Sequence, residues 1–288
     1  MTKENKARLM VVAAMLIFGT IGVFVKFIPL PSSVIAFARS IIGTVFLLTA
    51  SVAGRKKPSF SAIKKNLPIL LVLGTFLGVN WIMLFESYRY TTVAVATLCY
   101  YLAPVFVVLA SPFVLGEKLT AKKFGFSVIA LLGMVLVSGV VSGENTVSAV
   151  GMLFGVGAAV LYASIILFNK KLRDISANDT TIAQLGISAV VVGVYVLLTG
   201  DFSAVSLTGK ETVLLVVVGI VHTGIAYALY FGAVKSLKAQ TAAIYSYIDP
   251  VFAIILSALF LNEPMSIMAA LGAVLILGST LVSELTDK

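Results

Sequence analysis

Residues Phe85–Glu117, FESYRYTTVAVATLCYYLAPVFVVLASPFVLGE, lie without a gap over residues Phe231–Glu263, FGAVKSLKAQTAAIYSYIDPVFAIILSALFLNE, when the chain is shifted by 146 positions. Phe85 meets Phe231, Arg89 meets Lys235, Ala96 meets Ala242 and Tyr101 meets Tyr247. Pro104-Val105-Phe106 then meets Pro250-Val251-Phe252, Ser111 meets Ser257, and Glu117 meets Glu263. The second part of each segment is continuously apolar, without the two-residue alternation of a barrel strand, so it reads as helix in lipid.

Working outward, apolar runs of the length that crosses a hydrocarbon core, roughly 20 residues, fall at 8–27, 34–53, 67–87, 92–115, 124–141, 149–168, 180–198, 212–232, 240–261 and 266–283. The separators are short and carry turn chemistry: Pro29 and Pro31, Gly54–Pro58, Gly143-Glu144-Asn145, Asn178-Asp179 and Gly200-Asp201. None has room for a soluble domain. The run that begins at Leu9 is too long for the apolar core of a secretory signal and lacks a small-x-small cleavage site before Pro29, so it counts as a span. The expected fold is therefore an all-α membrane protein of ten transmembrane helices. The 146-residue repeat divides it into two five-helix halves, 1–144 and 145–288. Five is odd, so the second half must lie inverted relative to the first, an arrangement that recurs in secondary transporters.

Composition agrees. Hydrophobic residues are 60% of the 288 and charged residues 11%, against roughly 25% charged in a soluble domain, and the mean hydropathy is +1.09. The net charge of +9 does not mark a nucleic-acid binder, because the basic residues sit in short clusters between apolar runs. With the N-terminus placed in the cytoplasm, seventeen lysines and arginines fall on the cytoplasmic side. Only Lys26, Arg89 and Lys210 fall outside, and Arg39 lies within a span. That asymmetry predicts a multi-pass cell-membrane protein with both termini cytoplasmic.

The helix count, the inverted halves, the paired Pro-Val-Phe tripeptides and the endings Gly116-Glu117 and Asn262-Glu263 resemble the drug/metabolite transporter superfamily, most closely its EamA branch. The resemblance spans nearly the whole chain. It implies transport of a small molecule, without choosing among amino acids, sugars, amines and drugs.

Charges inside spans cost about 2.5–3.5 kcal/mol each on insertion scales, so each requires a reason. Asp249 is the sharpest case: it is expected near the middle of the ninth span, before Pro250, where the proline frees the Ser246 carbonyl and bends the helix. Its counterpart is Ala103, so the fold itself does not demand an acid there. It can serve as a substrate or coupling carboxylate, or as a cap on the broken backbone. Tyr245 and Ser246 share its helical face. His222 in the eighth span and Asn80 in the third complete the polar set, with Tyr100 as the aromatic most readily placed in a cavity. His222 can equally bond a neighbouring backbone, and Asn80 can act as packing glue. Arg39 is expected to brace the outer face, paired with Glu86 or bonded to backbone carbonyls, the alternative for this outer cluster being a gate or an attraction site for an anionic substrate. Glu86 and Arg89 are expected to pair with each other as well, Lys26 to anchor at the interface, and Glu117 and Glu263 to serve as hinges.

Catalytic constellations are missing from the sequence, as are metal-ligand spacings, nucleotide-binding glycine loops and ATPase motifs. The lone candidate pairing, Cys99 with His222, has no third orienting group. The reading is a secondary transporter rather than an enzyme, requiring no cofactor or metal. Its partners would be a small-molecule substrate and membrane lipid, with the proton as coupling ion, in a monomer or homodimer. The alternative is a non-transporting scaffold or lipid-associated subunit, which should bury Asp249 dry against a neighbouring helix.

Overall fold

The computed structural model describes residues 3–55, 58–116, 119–137, 148–201, 208–234, 245, 248–263 and 265–286. They form helices and connecting turns, with no strand among the described residues. In chain order these are α1 (Lys3–Lys26), α2 (Ser32–Ala53), a short α3 (Phe60–Lys65), α4 (Leu67–Tyr90), α5 (Val93–Tyr100), α6 (Ala103–Leu115) and α7 (Ala121–Val137). There follow α8 (Ala149–Asn169), α9 (Ala177–Thr199), α10 (Gly209–Val217), a π-helical segment (Val218–Ile225), α11 (Ala226–Val234), α12 (Ile248–Phe260) and α13 (Ile267–Leu285).

Among the described residues, seven segments are long and apolar enough to cross a membrane: those within α1, α2, α4, the α5–α6 pair, α8, α9 and the α10–π–α11 stretch. Three shorter apolar helices, Phe124–Val137, Ile248–Phe260 and Ile267–Ser279, accompany them. Helix starts follow local chemistry. Ser148, Ser176, Ser266 and Thr92 each accept a hydrogen bond from the backbone N–H three residues on, satisfying a donor that the first helical turn leaves free. At the other end, Gly200 takes φ 73° to stop α9, a left-handed conformation that glycine adopts without strain.

Two spans depart from expectation. The 92–115 run is two helices: α5 ends at Tyr100, Tyr101 and Leu102 turn, and α6 begins with Pro104 in its first turn, where a proline's missing N–H costs nothing. In the eighth run the chain passes through a π-helical segment containing His222. Asp249 lies in α12, and residues 246–247, which precede that helix, lie outside the described residues.

The helices pack in a specific set of pairs. Helix α1 lies against α12 and α11; α2 against α9 and the π segment; α4 against α8 and α9; α5 and α6 against α8; and α7 against α13. Polar contacts tie the two ends. At one end Lys26 meets Glu263 at 3.1 Å and Ser33 bonds Asp201. At the other, Lys65 meets Asp174 at 2.7 Å, and Asn66 bonds both the carbonyl and the N–H of Arg173. Between them lies an apolar core around Leu70, Leu73, Trp81, Phe85 and Leu185.

Candidate functional site

Inside this apolar bundle sits a chain of polar side chains. It begins at the α5–α6 turn, where the Tyr101 hydroxyl donates to Oδ2 of Asp249 in α12 at 2.7 Å. Asp249 is half-buried. Helix α1 passes close to it, since a Cβ on Gly19 would stand 2.9 Å from the Asp249 carbonyl oxygen. Tyr100 meets Tyr101 edge-on, with centroids 6.3 Å apart, and stacks on Tyr162 of α8 at 5.2 Å. The Tyr100 hydroxyl donates to Asn80 Oδ1 at a long 3.5 Å, while Asn80 Nδ2 donates to the Ala158 carbonyl at 2.6 Å.

Arg39 occupies the other side of the cluster. It is 3% exposed. Its guanidinium carbon lies 3.7 Å above the Trp81 ring centroid and 5.5 Å from that of Phe85, and its Nε donates to Thr223 Oγ1 at 3.1 Å. Thr223 in turn donates to the Val218 carbonyl five residues back, a contact that the widened π turn makes available. The hydroxyls of Tyr227, Tyr100 and Tyr88 lie within electrostatic reach of the guanidinium. Tyr88 also senses Asp249, so Tyr88 lies within reach of both the acid and the cation. No carboxylate lies within ion-pair distance of Arg39 among the described residues.

The expected brace is therefore corrected. Glu86 pairs with Arg89 at 3.3 Å at the end of α4, and Arg39 bonds neither Glu86 nor a backbone carbonyl. Lys26 does more than anchor, since it also donates to the Thr91 carbonyl at 3.3 Å. Of the sequence-derived candidates, Asp249, Tyr100 and Asn80 belong to one connected cluster. His222 lies at its edge with both ring nitrogens engaged: Nε2 with Thr20 Oγ1 at 2.7 Å, and Nδ1 with the Val217 carbonyl at 3.5 Å. Phe24 packs on the ring at 4.9 Å. Tyr245 packs elsewhere, in an apolar cluster with Met10, Phe18, Leu229 and Tyr230. Ser246 and Glu117 lie outside the described residues. The Cys99 thiol faces the Met134 sulfur, so it and His222 have different partners.

Sequence reasoning placed Arg39 in an outer cluster, as a brace first and an anion-attracting site second, and missed its central position together with Tyr101, Thr223 and helix α2 as contributors. The usable signals were two singularities: Arg39 is the one basic residue well inside an apolar run, and Trp81 is the chain's single tryptophan. Among the described residues no group of three or more His, Cys, Asp or Glu could hold a metal ion. The arrangement offers one acid, one cation, an amide and several phenols, a set suited to holding a small polar molecule inside a bundle.

A polytopic helical membrane protein with such a cluster at its heart is of the transporter class. The EamA-like transporter family profile matches twice, at residues 5–139 and 149–284, and the chain belongs to that family. The uncharacterized transporter YxxF of Bacillus subtilis (strain 168) is 31% identical over 278 residues, covering 95% of this chain and 88% of its own. The pseudopaline exporter CntI of Pseudomonas aeruginosa (strain UCBPP-PA14) is 26% identical over 286 residues, covering 97% and 96%. A crystal structure at 21% identity matches with a TM-score of 0.69 over 99% of this chain and 100% of that one, a likeness of fold alone.

Proposed function

We propose that this chain is a secondary active transporter that carries small organic metabolites, of the amino-acid or amine kind, across the cell membrane by alternating access. Its spans number ten and form two inverted five-helix halves, residues 1–144 and 145–288. The observation that carries the reading is the Tyr101–Asp249 hydrogen bond. It joins the two halves beside the paired prolines of the repeat, from Tyr101 three residues before Pro104 to Asp249 directly before Pro250.

The helix packing supports the inverted halves. Exchanging each helix for its repeat partner turns the α1–α12 contact into α8 against α5–α6, and the α4–α8 contact into α11 against α1. It turns α2 with the π segment into α9 with α4, and leaves α2–α9 and α7–α13 unchanged. Every one of these pairs is in contact. The two family-profile matches fall one on each half. Binding between inverted halves near the midplane, beside helix breaks, is how such folds hold substrates.

The proton is the coupling ion in this reading, and Asp249 carries it. A carboxyl that moves between wet and closed surroundings binds and releases a proton. Lipid surrounds a monomer or homodimer, both of whose termini lie in the cytoplasm. Reporter fusions at Gly200 should then read outside, and fusions at Lys171 inside. The deciding experiment is counterflow in reconstituted vesicles preloaded with labelled amino acids, amines or sugars. Saturable exchange of an amino acid or amine is expected, and folded protein that exchanges none of them would overturn the reading.

A further inference from the structure

From Arg39 we infer that the transported molecule carries a carboxylate, held by the guanidinium of Arg39 against the face of Trp81. The inference rests on the transport reading above and adds the ligand's anionic group, which Asp249 alone does not specify.

Three observations carry it. First, Arg39 is 3% exposed with no carboxylate opposite it among the described residues. A buried ion without a partner costs several kcal/mol, while stacking on an aromatic ring returns only about 2 kcal/mol when desolvated. The cation–π contact with Trp81 therefore offsets part of the cost and leaves a deficit that an anion would remove. Second, the hydrogen bond to Thr223 uses Nε. The two Nη nitrogens make no hydrogen bond to a described residue, which leaves that edge of the fork with the spacing that a carboxylate matches with two parallel bonds. Third, the ring of Trp81 below and the Thr223 bond at Nε fix the plane of the guanidinium, so the fork is oriented before a ligand arrives.

One positive charge balances a monoanion and underbalances a phosphate dianion. The acid Asp249, with the Tyr101 hydroxyl at 2.7 Å, provides the complementary surroundings for an ammonium group. The ligand class is therefore a zwitterionic amino acid or a related amino-carboxylate. Its carboxylate would lie toward α2 and α4, and its ammonium toward α12.

Trp81 supplies the readout. It is the chain's only tryptophan, so its fluorescence in the purified full-length protein reports on the face that Arg39 covers. The probes are the proteinogenic amino acids, acetate, and inorganic phosphate. Any amino acid that responds is then compared with its own amide and its decarboxylated amine. A saturable change in Trp81 emission is expected with an amino acid, and binding of its amide and amine should be roughly 10- to 100-fold weaker, as for loss of a charged hydrogen-bond pair. Arg39→Lys should weaken the acid by a similar factor and Arg39→Met should equalise acid and amide. If Arg39→Met fails to fold, the acid-against-amide comparison in the unaltered protein decides alone. Equal binding of acid and amide overturns the inference. So does a response to phosphate with none to carboxylates, or silence across the whole panel. Vesicle flux separates this from the transport reading: binding without exchange sinks transport and leaves the site, whereas exchange indifferent to Arg39→Lys sinks the site and leaves transport.

Discussion

Lys26 Nζ stands 3.1 Å from Glu263 Oε1, joining the end of α1 to the turn after α12. The same carboxylate accepts hydrogen bonds from the Val93 N–H at 2.9 Å and the Ser257 hydroxyl at 2.6 Å, so it caps α5 as well. Glu263→Ala would leave the fully buried Ser257 and the Val93 N–H without partners. Such losses cost roughly 1–3 kcal/mol per group, and a clear fall in thermal midpoint is expected. Glu263→Gln keeps acceptors for both donors and should recover most of it, with only the charge contact to Lys26 lost. Equal midpoints for Glu263→Ala and the unaltered protein would show that the cap is idle.

Helices α7 and α13 meet at two glycines. A Cβ on Gly133 would lie 2.7 Å from the Gly272 carbonyl oxygen, and one on Gly272 would lie 2.5 Å from that of Gly133. Backbone cannot yield as a side chain does, so Gly272→Leu should force the pair apart at a cost of about 1–3 kcal/mol. Gly125→Ala, with open space around the new methyl, is the matched control and should be neutral or slightly stabilising. Thermal unfolding in detergent distinguishes the two.

At the opposite end, Asn66 clamps α4 to the turn after α8: Nδ2 donates to the carbonyls of Ala62 and Arg173, and Oδ1 accepts from the Arg173 N–H. Asn66→Ala should lower stability by roughly 1–3 kcal/mol. The neighbouring Lys65–Asp174 pair should contribute almost nothing, since both side chains are largely exposed. The hydrogen bond and charge of Lys65 hold the Asp174 carboxyl below the usual carboxylate range. Whatever stability it adds is therefore present at neutral pH and lost as pH falls through that lowered value. Asp174→Asn should leave the thermal midpoint at pH 7 unchanged, and Asn66→Ala should shift it at every pH.

How much of this was legible follows from what kind of signal each feature leaves. The apolar runs were readable because lipid demands them, whereas the capping serines that start α8, α9 and α13 were not used. The break at Tyr101–Leu102 was hidden because its residues are as apolar as their neighbours, and only Pro104 hinted at it. Asp249 stood out as an acid in an apolar run, but its partner Tyr101 looked like any interfacial aromatic. Arg39 was visible and misassigned: Glu86 was the nearest acid by depth, whereas the fold turns Glu86 to Arg89 and sets Arg39 on Trp81. Pairing within a helix can be read from spacing, but pairing across the bundle depends on rotation about each helix axis, which apolar runs do not encode. The π segment is invisible for the same reason, since Val218–Ile225 has the composition of ordinary helix.

The proposed coupling rests on Asp249, and the geometry sharpens its test. Asp249→Asn keeps an oxygen that can accept from Tyr101 at the same position, so the helix junction should survive and the protein should fold. What it loses is the proton-binding group. Uptake driven by a pH gradient in reconstituted vesicles should fall to background, while exchange of substrate across the membrane persists, because exchange needs no net proton movement. Tyr101→Phe removes the donor and leaves the acid, so it should shift the pH profile of uptake without abolishing it. Adding Ala103→Asp to Asp249→Asn should not restore coupling. Ala103 is 1% exposed and packs among Leu102, Val105 and Ala130, so a carboxyl there would be enclosed by apolar groups with no route to water. Full proton-driven uptake by Asp249→Asn would remove Asp249 from the coupling mechanism and leave it as the acceptor that pins Tyr101 to the start of α12.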